Sequence, residues 1–236
     1  MSHFKIISLL IGLCFPFLTE AQAMHFTPVS SLEEYNKLVQ GNRDLRLVEI
    51  STIIPDVILD LRYAAKNNFT GKRMYPAQTK KTYLRYPAAR ALANAAVELR
   101  GMNIGFKIWD AYRPYHVTVK FWELIHDERY VANPAKGSGH NRGIAVDLTL
   151  YDLTTGKELN MPTGFDDFSD AAHHGKVLPD PEKMKNRELL KSIMEKHGFL
   201  RFETEWWHYY WSGADTFDVM DIPFKKLHKS TNATKR

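Results

Sequence analysis

The chain has 236 residues, 44% hydrophobic and 25% charged, with a net charge of +5 and a pI near 9.1. That is an ordinary globular composition, long enough to bury a real core in one or two domains. The Lys and Arg are scattered, and the densest basic run, Lys225 to Arg236, has no aromatic residue to stack on bases, which argues against a nucleic-acid partner.

Residues 1–23 read as a secretory leader. Lys5 gives the positive end, Ile6 to Leu18 the apolar stretch, and Ala21-Gln22-Ala23 the small-x-small cleavage site, so Met24 is the expected first mature residue. The predicted destination is the periplasm or the exterior. Cys14, the one cysteine, lies inside this leader behind Leu13, where a lipid-anchor site would want a small residue. The mature chain (24–236) then has no cysteine, no disulfide, and no stretch apolar enough to span a membrane. Any metal site must use His, Asp and Glu.

Ser31 to Leu38 carries a short helical pattern, Val57 to Tyr63 a strand, and Asn67 to Pro76 a polar loop. Pro87 to Leu99 is predicted helical from its alanines and leucines, with Gly101 as the stop. Ile104 to Trp109 reads as a buried strand. Pro114 opens a helix expected to reach about Tyr130. Asn133 to Gly143 is a glycine-rich loop, Ile144 to Leu150 a strand, and Tyr151 to Pro181 a long loop of the kind often functional. Pro181 to His197 is a third helix ending at Gly198, and Phe199 to Trp211 a final strand or strand pair. The sum is a single α+β domain with a small central antiparallel sheet, flanking helices and a basic tail from about 225.

Three stretches carry chemistry. In Ser138-Gly-His140-Asn-Arg-Gly143-Ile-Ala-Val-Asp147, an imidazole on a glycine-rich turn precedes a carboxylate on a strand. Both are good zinc ligands, and Gly143 can bend the chain so that they face one point. In Glu205-Trp-Trp-His208, the histidine is the third ligand and the glutamate the base for a metal-activated water. Three residues is the wrong spacing for one strand face, so a turn or bulge is expected at the strand start. In Trp109-Asp-Ala-Tyr-Arg113-Pro, the guanidinium sits at a strand-to-helix corner from which it could stabilise an oxyanion.

Each residue has a plain alternative: a surface histidine, a turn-capping aspartate, a solvated glutamate, a paired arginine. Together they favour a site with one open coordination place, because a structural zinc usually has four protein ligands. The adjacent pair His173-His174 is poorly built for a shared metal. His116, His126 and His197 fall in helical stretches and read as surface or packing residues. Of Trp206 and Trp207, one is expected to line the pocket and the other to pack inside.

These motifs resemble the D-alanyl-D-alanine dipeptidases, the VanX-like branch of the zinc D,D-peptidases. The likeness spans about residues 55–224. It also takes in Asp60-Leu-Arg-Tyr63, Asn68-Phe-Thr-Gly71, and Met161-Pro-Thr-Gly-Phe-Asp166 followed by His173-His174. The resemblance implies one zinc ion on His140, Asp147 and His208, Glu205 as base, and Arg113 as transition-state stabiliser. It implies substrate contacts from Ser138 and Asp166, with Asp166 toward the substrate ammonium. Ala111 stands where relatives commonly carry glycine. The expected reaction is hydrolysis of D-Ala-D-Ala to D-alanine in cell-wall peptide turnover. The alternatives are a D,D-carboxypeptidase or endopeptidase on peptidoglycan peptides, and a zinc-containing wall-binding module without turnover.

Overall fold

A computed structural model of the protein describes residues 26–213 and 217–227. The leader expected at 1–23, and the tail beyond 227, lie outside the described residues.

The fold is α+β around a five-stranded sheet. The strands are β2 (Ile58–Leu59), β4 (Ile104–Asp110), β5 (Ala145–Asp152), β7 (Glu205–Trp211) and β6 (Phe199–Phe202), in that spatial order. The sheet is antiparallel except at one edge, where β2 runs parallel to β4. A separate antiparallel pair joins β1 (Leu47–Glu49) to β3 (Tyr83–Arg85). Neither β1 nor β3 was expected from sequence, being three residues long and without clear alternation.

Helix α2 (Tyr86–Arg100) begins at a first-turn proline and buries Ala88, Ala89, Leu92, Ala95, Ala96 and Leu99. Those positions follow a 3.6-residue period and form one apolar stripe. Helix α5 (Pro181–Lys196) is capped by Asp180, whose carboxylate accepts from the amides of Glu182 and Lys183. Together α2 and α5 cover one face of the sheet, where Val146, Leu148 and Leu150 of β5 join the core cluster. Removing a fully buried leucine such as Leu92 would cost about 2–5 kcal/mol. The strand period of two sends Asp147 to the opposite face from Val146 and Leu148. A second core lies around helix α1 (Leu32–Gly41), helix α3 (Tyr115–Ile125) and the segment at Ile222 and Phe224.

Several boundaries differ from the sequence reading. Helix α3 stops at Ile125 instead of about Tyr130, because His126 turns left-handed (φ +48) and ends the ladder. The strand expected over 57–63 is two residues long and passes into a 3-10 turn at Arg62. Within the loop expected over 133–143 there is a one-turn helix, α4 (Gly139–Arg142). Among the described residues, no helix is long and apolar enough to cross a membrane.

Candidate active site

Ser138 starts α4 with a reciprocal cap. Its hydroxyl accepts from the Asn141 amide, and the Asn141 side-chain oxygen accepts from the Ser138 amide at 3.0 Å. The Asn141 side-chain nitrogen then donates to the Arg113 carbonyl at 2.9 Å and to the Thr118 hydroxyl at 2.8 Å. This fully buried amide therefore ties α4 to the Arg113 corner and to α3. Gly143 ends α4 at φ +72, and a Cβ there would stand 2.9 Å from Leu47 Cδ2, so glycine is needed for the turn into β5.

The turn brings His140 over β5. Its Nδ1 lies 2.7 Å from the Ala111 carbonyl, which can only accept, so Nδ1 carries the proton and Nε2 is the free lone pair. That Nε2 faces Asp147 Oδ2 at 3.4 Å and His208 Nδ1 at 3.3 Å. His208 Nδ1 is also 2.8 Å from Asp147 Oδ1. Asp147 and His208 are direct partners across the β5–β7 ladder, so the register itself aligns them. One ligand atom from each of the three residues falls within 4.8 Å of the others. Two imidazole nitrogens and a carboxylate at this spacing suit a zinc ion and leave a coordination place open.

Glu205 opens β7. Between Glu205 and Tyr209 the pairing with β6 shifts, since Phe202 pairs with Glu205 while its neighbour Arg201 pairs with Tyr209. This irregularity at the strand start lets residues three apart, Glu205 and His208, line the same cavity. Both tryptophans between them are buried. Trp207 lines that cavity, and Trp206 faces the other way and donates to Thr163 at 2.9 Å.

Arg113 donates twice to Asp110 Oδ2, at 3.0 and 2.8 Å, and Tyr75 donates to Oδ1 of the same carboxylate at 2.6 Å. Burial alone would lower the Arg113 pKa, but the Asp110 charge holds it well above its usual value. Neither Asp110 nor Tyr75 has an expected role from sequence. The three-residue spacing of Asp110 and Arg113 at a strand end was the available signal; nothing local marked Tyr75.

Asp166 reaches the cavity from the long loop, with Tyr63 donating to its Oδ1 at 3.1 Å. Its Oδ2 is buried without a partner. Burial, reinforced by the charge of Asp147, pushes its pKa up to about 8. Burial likewise pushes Glu205 up to about 7, with Asp147 adding to it and His208 and Arg113 opposing. Burial also acts to raise Asp147, but the imidazoles of His140 and His208 outweigh it and hold that carboxyl below its usual range.

The cavity that collects Arg113, Ser138, His140, Asp147, Asp166, Glu205 and His208 has a volume of about 530 Å³. All seven residues singled out in the sequence therefore meet in one place. Among the described residues, the other histidines do not join them. His174 packs beside Tyr209, and burial lowers its pKa to about 4. His116 pairs with Asp221 and His197 with Glu98.

The family described as D-ala-D-ala dipeptidase matches residues 43–229. A D-alanyl-D-alanine dipeptidase of Escherichia coli (strain K12) is 35% identical over 75% of this chain and 91% of its own length. Proteins of the same name from Enterococcus faecium and Streptomyces coelicolor are 32% and 31% identical, each over 68% of this chain and 88% of their own. The solved LdcB LD-carboxypeptidase aligns over 79% of this chain and 73% of its own, at 19% identity and a TM-score of 0.41, too loose a likeness to bear on function. By the span of the family match and the identity of these relatives, the chain belongs to the D-Ala-D-Ala dipeptidase family of metallopeptidases.

Proposed function

We propose that the protein is a zinc dipeptidase that hydrolyses D-Ala-D-Ala to two molecules of D-alanine. The observation that carries this reading is the convergence of His140 Nε2, His208 Nδ1 and the Asp147 carboxylate in a cavity that also holds Glu205 and Arg113. Zinc held by His140, Asp147 and His208 would acidify a water and polarise the scissile carbonyl.

The remaining work falls to side chains. Glu205 takes the proton from the attacking water and returns it to the leaving amine. Its raised pKa, set by burial, matches a group that must both accept and release a proton near neutrality. Arg113 supports the negative charge that builds on the carbonyl oxygen. Its own charge is fixed by Asp110, so it needs no reorganisation as the reaction proceeds. Asp166 receives the substrate ammonium, and Ser138 contacts the substrate at the other wall of α4. The leader expected at 1–23 would deliver the enzyme to the periplasm, where dipeptides from the cell wall are at hand.

A dipeptide panel with zinc-loaded and chelated protein tests the reading. D-Ala-D-Ala should be cleaved and L-Ala-L-Ala left intact, with activity lost on chelation and restored by zinc. Cleavage of only the L,L-dipeptide would overturn the substrate and leave the metal chemistry standing. Faster cleavage of a D-Ala-D-Ala-terminated pentapeptide than of the free dipeptide would make the protein a carboxypeptidase.

A further inference from the structure

The chain turns sharply at Asp166, whose φ is +61, a left-handed conformation that aspartate tolerates better than most residues. The turn directs Asp166 and, two residues on, Phe168 into the same cavity. The neighbourhood is aromatic. Tyr63, which holds Asp166, packs on Phe121 at 4.9 Å and Phe69 at 6.2 Å, and Phe69 packs on Phe168 at 5.4 Å. Tyr130, from the segment that follows α3, closes on Phe168 at 5.0 Å. Arg129 braces it, with its guanidinium 5.2 Å from the Tyr130 ring and 2.6 Å from the Asp127 carboxylate.

Asp166 Oδ2 thus lies buried and unpartnered within an aromatic enclosure. An ammonium satisfies such a group twice, through the carboxylate charge and through the ring faces. A longer peptide offers neither. Its amide in place of the ammonium brings no charge to Asp166, and its extra residue must pass Phe168 and Tyr130. The whole cavity is larger than a dipeptide, so its total volume by itself sets no limit on length.

We propose that the Tyr130–Phe168 contact is a wall behind Asp166 that restricts the enzyme to substrates with a free amino group on the residue before the scissile bond. The inference rests on the dipeptidase reading above and adds two specificity-determining residues to it. Tyr130 is the one to remove, because it is 37% exposed and its loss leaves the core intact, whereas Phe168 packs against the main core.

The experiment measures kcat/KM for D-Ala-D-Ala and for L-Lys-D-Ala-D-Ala, both cleaved at the D,D bond, in wild type, Tyr130→Ala and Phe168→Ala. The wild type should favour the dipeptide strongly. In Tyr130→Ala the tripeptide-to-dipeptide ratio should rise at least tenfold, and N-acetyl-D-Ala-D-Ala, which has the same neutral amide before the scissile residue but a much smaller group beyond it, should gain less. An unchanged ratio in folded Tyr130→Ala, or a wild type that cleaves the tripeptide as well as the dipeptide, overturns the wall and leaves the dipeptidase reading intact. A wild type that cleaves neither peptide sinks that reading, and the wall falls with it.

Discussion

The cavity has two sides built on different principles. The metal side rests on the sheet: Asp147 and His208 face each other across a ladder, and His140 is fixed by the Ala111 carbonyl and a capped turn. The recognition side rests on loops: Asp166 sits at a positive-φ turn, and Tyr130 follows the left-handed end of α3. On the first side each ligand is oriented by a fixed partner, His140 by the Ala111 carbonyl and His208 by Asp147; on the second, Asp166 Oδ2 has no partner. A metal needs fixed ligands, which paired strands supply. A substrate supplies part of the satisfaction itself, so its side of the cavity can remain incomplete and adjustable.

Breaking the metal side should have the largest effect. Asp147→Ala leaves two imidazoles without the carboxylate that bridges toward both, and zinc retention and turnover should both be lost, read by metal analysis of the purified protein and by D-alanine release. Glu205→Gln separates chemistry from binding. Its zinc content should match wild type while kcat falls by about 10²–10⁴-fold, the usual worth of a positioned base. Full activity in that variant would remove Glu205 from the mechanism. In wild type, the acid limb of kcat should reflect Glu205. Its base form is lost as pH falls through a pKa raised by burial to about 7, and a bound cation would draw that limb lower.

The recognition side should respond more gently and in two opposed ways. Asp166→Asn removes the carboxylate proposed to receive the substrate ammonium, so kcat/KM should drop by roughly 10–150-fold, the equivalent of about 1.5–3 kcal/mol for a charged hydrogen bond. The same variant should be more stable than wild type at pH 8. The folded-state pKa of Asp166 lies at about 8, above its unfolded value, so stability present at low pH is lost as pH rises toward 8. Asparagine also accepts the left-handed turn and keeps an acceptor for Tyr63. A gain on the order of 1 kcal/mol at pH 8, vanishing near pH 4, is expected from denaturant titrations at the two pH values. A variant that is less stable at both would show that the lone Oδ2 is not a cost to the free protein.

The same division governs what the sequence made legible. The metal side was readable because its residues lie in short motifs whose chemistry is local: His140 and Asp147 are seven apart, and Glu205 and His208 three apart. Even the irregular start of β7 followed from the spacing, since residues three apart cannot share a regular strand face. Helices α2 and α5 were readable from alanine content, capping and proline placement. What escaped was set by tertiary contact. Tyr75 meets Asp110 across 35 positions, and Tyr63 meets Asp166 across 103, so neither partnership leaves a local pattern. The end of α3 escaped for another reason. Residues 126–130 include good helix formers, and the left-handed His126 overrides them. Asp166 was reached only through resemblance to a family, as a lone aspartate in a long loop has no chemical signature of its own.

Ser138 joins the two sides and gives the smallest and most discriminating test. Its hydroxyl accepts from the Asn141 amide at 3.3 Å, so it caps the turn that carries His140, and it also lines the cavity. Ser138→Ala should cost about 1 kcal/mol of stability through the lost cap. Ser138→Asn keeps a side-chain acceptor for the cap but removes the hydroxyl, and should fold nearly as well as wild type. If Ser138 serves only the cap, the asparagine variant recovers activity together with stability. If the hydroxyl touches the substrate, stability returns while KM stays raised in both variants. The second outcome is expected, because the cap uses the serine oxygen only as an acceptor and leaves its O–H free to donate into the cavity.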